Sequence, residues 1–106
     1  MGEHEAVMEE ITAVLGSSLR DRARMERTLT DGYAYALSLE AERTRVQKEL
    51  RALAAASDRG DLAENTREIS ELARRIELHD VELRRLRELL VRLRAQYRRA
   101  DAAPTR

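Results

Sequence analysis

Asp61 and Glu64 stand three residues apart in the stretch Gly60-Asp61-Leu62-Ala63-Glu64-Asn65. If Asp61 caps or opens a helix, both carboxylates project from its first turn. Such a pair suits a hard divalent cation such as Mg²⁺, which takes oxygen ligands and keeps several waters. Two carboxylates alone hold the ion weakly, so another macromolecule or a phosphate must supply the remaining ligands. The competing reading is ordinary helix-start chemistry. Asp at an N-cap and Glu in the first turn both favour the positive end of a helix.

A second stretch carries charge instead of candidate ligands. Arg84, Arg85, Arg87, Arg92, Arg94, Arg98 and Arg99 have Glu88 as the only acid between residues 84 and 99. This is the footprint of a surface for RNA, DNA or an acidic protein. Charged flanks are also the ordinary dress of a coiled coil, and arginine near a helix C-terminus suits the helix dipole. Tyr97 is the only aromatic in the stretch, which gives base stacking little support. His79 reads as a polar layer that fixes helix register. His4, beside Glu3 and Glu5, is expected in solvent. The sequence has no Walker loop, dinucleotide fingerprint or nucleophile elbow.

Long helices must position these residues. From Leu62 onward, one heptad register places Leu62, Ile69, Ile76, Leu83, Leu90 and Tyr97 at a. It places Asn65, Leu72, His79, Leu86 and Leu93 at d. Nine of these eleven are apolar or aromatic, a strong seam. The spacing predicts a helix over about 62–99, stopping before Pro104.

An earlier, weaker seam runs through Met8, Leu15, Leu29, Ala36 and Leu50 at a. Its d positions hold Ile11, Met25, Leu39, Val46 and Leu53. It lapses at Ser18, Arg22, Gly32 and Arg43. Two lapses coincide with break signals. Gly16-Ser17-Ser18 followed by Asp21 fits a capping box, and Thr30 is a plausible N-cap before Gly32. A short helix at about 3–15 and a long one at about 18–56 follow, the latter kinked or restarted near residue 31. One unbroken helix is the alternative, since a lone glycine costs only about 1 kcal/mol.

The seams are joined by Ala56-Ser57-Asp58-Arg59-Gly60-Asp61-Leu62. Gly60 suits a helix stop and Asp61 the cap of the next helix. The connection is short, so the long helices should be antiparallel neighbours. The expected architecture is all-α. An N-terminal helix or extension covers 1–17, a coiled-coil hairpin with its tip at 57–64 covers 18–99, and a flexible tail covers 100–106. About 38 helical residues between tip and Tyr97 would span roughly 57 Å. Tyr33 and Tyr35 cannot share one narrow helix face, so one should pack on the second long helix or the N-terminal one. Leu78, Val81, Leu89 and Val91 lie off the seam and suit a second contact. A homodimer is therefore a structural expectation.

Composition sets the outer limits. The 106 residues contain no cysteine, which excludes disulfides and Cys-based zinc sites. No apolar run approaches the roughly 18 residues of a membrane span. Met1-Gly2-Glu3-His4-Glu5 has no signal-type apolar region behind it, and the cytoplasm is the expected compartment. With aromatics at 3%, a pocket enzyme is disfavoured. The 20 basic and 20 acidic residues cancel, but locally they do not. Residues 57–72 sum to −3 and residues 73–106 to +5. Lys48 is the only lysine, which fits a GC-rich coding bias.

The tip residues resemble a known family. Gly60-Asp61-Leu62-Ala63-Glu64-Asn65 is similar to the G-D-L-x-E-N tip motif of bacterial Gre-type transcript cleavage factors. In that family the motif ends a long antiparallel coiled-coil hairpin. Thr30-Asp31-Gly32-Tyr33, with Leu37, Leu39 and Glu40 after it, resembles the family's T-x-x-G-Y start, offset by one residue. The resemblance covers roughly residues 30–97. After the Asn, the family motif continues with an acid and an aromatic; here Thr66-Arg67-Glu68 follows. The family's globular C-terminal docking domain lies outside the match, so docking would use other surfaces.

What the resemblance implies is a factor that enters the secondary channel of RNA polymerase. Asp61 and Glu64 would be the acidic pair that helps hold a second Mg²⁺ and an attacking water. Gly60 would make the turn, with Leu62 and Asn65 supporting the tip. The polymerase, not this chain, would cut the RNA, and no cofactor would be tightly bound. A hairpin that enters without supporting cleavage would inhibit instead. Two other readings stand beside this one: a dimeric coiled-coil scaffold without tip chemistry, and nucleic-acid binding through residues 84–99.

Overall fold

The computed structural model describes residues 2–17, 21–56 and 62–102. Among them the chain is all-α. Helix α1 spans Glu3–Gly16, α2 spans Arg22–Ala56 and α3 spans Leu62–Ala102. The two long helices pack against each other, as the seams predict. Residues 57–61 lie outside the described residues, and with them the expected φ of Gly60 and the expected cap of Asp61.

Several boundaries differ from expectation. α2 begins at Arg22, and its cap is Asp21. The Arg24 amide donates to Asp21 Oδ1 at 3.0 Å, and the Met25 amide donates to the Asp21 carbonyl at 3.0 Å. The capping-box reading gave that role to Ser18, which lies outside the described residues. Thr30 does not cap a restart. It sits inside α2, where its hydroxyl donates to the Glu26 carbonyl at 3.0 Å. Thr28 and Thr44 bond back one turn in the same way. α2 therefore runs through Gly32 unbroken, as the alternative held. α3 continues to Ala102, about a turn beyond the expected end.

The helices divide into two compact units. The first holds α1, α2 up to Leu37, and α3 from Arg84 onward. Here α2 and α3 run antiparallel, and α1 covers one side of the pair. Ile11 and Val14 of α1 are buried with Met25, Leu29 and Tyr35 of α2 and Leu86, Leu90 and Leu93 of α3. Gly32 lies at the junction of all three. A Cβ built there would fall well inside contact distance of the Leu90 Cδ2 and 3.3 Å from Ile11 Cδ1. The glycine is thus a close-approach residue, not a helix breaker. The α1 end is tied down by the Ser17 amide, which donates to the Val14 carbonyl at 3.2 Å. Gln96 of α3 donates to the same carbonyl at 3.3 Å.

Polar contacts dress the α1 side. Arg24 Nε donates to Glu10 Oε1 at 2.7 Å. That bond, with the added fields of Arg24 and Arg27, holds the Glu10 carboxyl below the usual range against a smaller opposing desolvation. His4 is exposed, as expected, yet its ring stacks on Tyr35 with centroids 4.2 Å apart. Tyr35 is thus the tyrosine that packs on the N-terminal helix.

The second unit, Ser38–Leu83, has two helices and a thinner core. Leu39, Val46 and Leu83 are buried. Leu50, Leu53, Ile69, Leu72 and Ile76 follow the heptads but are only half-buried, and no third helix among the described residues of this unit covers them. Arg43 occupies a seam position and uses it: Nε and Nη2 donate to the two oxygens of Asp80. His79 is half-buried at its d position, with Nδ1 buried and unpaired among the described residues.

Candidate functional site

Gly60 and Asp61 of the expected tip lie outside the described residues. Leu62 opens α3, which puts Glu64 in its first turn. Glu64 is exposed and Asn65, at a d position, is half-buried. An acid in a first turn favours the positive helix end. Among the described residues no three His, Asp or Glu side chains gather in a way that holds a metal.

The seven arginines are all exposed, but they do not form one surface. Arg84, Arg87, Arg94 and Arg98, with Val91 between them, advance by steps of three and four and share one flank of α3. Arg85, Arg92 and Arg99 recur every seven residues on a different flank. The first row borders the second-helix side away from α1, since Gln96 of the opposite flank reaches α1.

The end of that row, Arg94 and Arg98, forms one wall of a groove. A cavity of about 410 Å³ is lined by Leu29 and Tyr33 of α2 and by Arg94, Tyr97 and Arg98 of α3. Leu29 and Tyr33 make the other wall, and Leu37 continues their row at a further step of four, outside the cavity. Tyr33 is 43% exposed, Leu37 66% and Val91 70%. Arg22 stacks over the Tyr97 ring at 5.2 Å and donates to its hydroxyl at 3.2 Å. Arg94 and Arg98 make no ion pair with a described residue.

Sequence reading isolated the arginines and Tyr97 but missed this apolar wall. The signal was present in the i, i+4, i+8 spacing of Leu29, Tyr33 and Leu37. It was hidden because Leu29 also serves the seam, and because Tyr33 reads as part of the helix-start motif Thr30-Asp31-Gly32-Tyr33. Leu89, another off-seam residue, is half-buried, whereas Leu78, Val81 and Val91 are exposed.

The chain matches no family model, no curated protein and no solved structure. No helix among the described residues is long and apolar enough to cross a membrane.

Proposed function

We propose that this chain is a Gre-like factor that acts on bacterial RNA polymerase through the secondary channel. One observation carries the reading. The stretch Gly60-Asp61-Leu62-Ala63-Glu64-Asn65 sits where α2 has ended, at Ala56, and α3 begins, at Leu62. A motif with that composition at the join of two long packed helices can be presented by a slender arm. Its acids can then meet a metal held by another enzyme. Asp61 and Glu64 would each lend an oxygen to Mg²⁺, and the metal would generate the attacking water and stabilise the leaving oxygen. The chain supplies ligands and reach, and the polymerase supplies the active site.

The test is transcript cleavage in backtracked elongation complexes, with and without the chain. Wild type should either stimulate cleavage or inhibit elongation, and Asp61→Ala/Glu64→Ala should lose that effect. If both proteins leave cleavage and elongation untouched, the reading fails.

A second reading, an interaction protein without tip chemistry, is favoured by the exposed apolar residues Leu37, Leu78, Val81 and Val91. A pull-down with core polymerase and light scattering separate the two. A stable oligomer that does not retain polymerase supports the scaffold.

A further inference from the structure

The first unit treats its two sides differently. On one side an acidic helix, α1, lies across α2 and α3. It inserts Ile11 and Val14 and pairs Glu10 with Arg24. On the other side the same two helices offer the same kind of surface, apolar side chains beside arginines, with no described helix over it.

We propose that this open side is a docking groove for an acidic amphipathic helix of a protein partner. Buried Leu29 and half-buried Tyr97 form its floor, Tyr33 one side and Arg94 with Arg98 the other, and exposed Leu37 and Val91 continue these rows beyond it. This proposal does not rest on the tip reading.

Charge complementarity identifies the occupant. Arg94 and Arg98 are exposed and pair with no described acid. By sequence, Glu26 stands three residues before Leu29, Glu40 three after Leu37 and Asp101 three after Arg98, at the ends of these rows. Carboxylates on the visitor would take the place on this side that Glu10 fills on the other. Charge-assisted pairs of this kind fix register and partner choice. The apolar wall determines the shape. Leu29, Tyr33 and Leu37 form a straight row at helical spacing, so anchors at i, i+4 and i+7 of a docked helix can lie along it.

The groove suits a peptide better than a nucleic acid. Single strands bind where successive bases find aromatic faces. Here the groove has two tyrosines, and the Tyr97 ring already carries Arg22, which leaves Tyr33 as a single stacking face. A second copy offers fewer acids than arginines: pairing the face with itself would set Arg84, Arg87, Arg94 and Arg98 against Glu26, Glu40 and Asp101.

The test is fluorescence anisotropy of the full chain at about 0.15 M salt. The probe is a labelled synthetic helix of about four turns with leucines at i, i+4 and i+7 and glutamates on both flanks. A scrambled peptide of equal composition and a single-stranded oligonucleotide are the comparators. The patterned helix should bind, and the comparators should bind at least about tenfold more weakly. Arg94→Glu/Arg98→Glu and Leu37→Glu should each weaken the patterned helix by about tenfold or more. Because these side chains are exposed, thermal denaturation should stay unchanged in the variants, which keeps misfolding distinguishable. Equal binding of both peptides, preference for the oligonucleotide, or insensitivity to the variants overturns the proposal. So does a wild-type dimer that Leu37→Glu dissociates.

Discussion

Gly32 shows how one residue can carry opposite meanings in sequence and in structure. Read along the chain, Thr30-Asp31-Gly32 is a break signal, since glycine weakens helices. In the structure it stays helical because α1, α2 and α3 meet at it, and only a hydrogen fits between Leu90 and Ile11. Leu90 is itself buried, so its side chain has little room to turn away. Gly32→Val should therefore destabilise the protein by about 1–3 kcal/mol through overpacking. The better helix propensity of valine offsets only a few tenths of that, because β-branching limits the gain. Chemical denaturation of the two proteins checks it, and a more stable variant would mean that the junction is looser than it looks.

At the scale of elements, the seams were legible because heptads report burial directly. Leu83, Leu86, Leu90 and Leu93 are buried, and the pattern alone marked them. What the pattern did not give is how deeply each layer is buried, since that depends on whether a third helix is present. Ile11 of α1 is fully buried in the three-helix unit, whereas Ile76 of α3 is half-buried in the two-helix unit. Ile11→Ala should cost about 2–5 kcal/mol, the range for a buried large-to-small change. Ile76→Ala should cost clearly less, because solvent already reaches it and little cavity forms. Paired denaturation curves test the order, and equal losses would remove the distinction. The helix starts were harder to read. Asp21 won the cap of α2 over Ser18 and Thr30 through local hydrogen bonds that several polar residues could have offered. The motif over residues 60–65 stands as a sequence-based expectation, and the placement of Asp61 falls outside the described residues.

The molecule as a whole carries 20 basic and 20 acidic residues, and their cancellation has a consequence for binding. A neutral chain exerts little net field beyond a Debye length, about 8–10 Å at physiological ionic strength. Attraction must then come from local rows such as Arg94 and Arg98, and it acts only at close range. The fold depends on charge much less. Its buried residues are almost all apolar, and the Glu10–Arg24 and Arg43–Asp80 pairs lie partly in solvent, where such pairs contribute little. Salt should therefore separate the two. Raising ionic strength from about 0.05 to about 0.5 M should weaken the acidic helix at the groove by about tenfold or more. The thermal midpoint should move by no more than a few degrees over the same range. Anisotropy and melting curves on one salt series measure both. A midpoint that collapses with salt while affinity holds would show that the arginines serve the fold and not a partner.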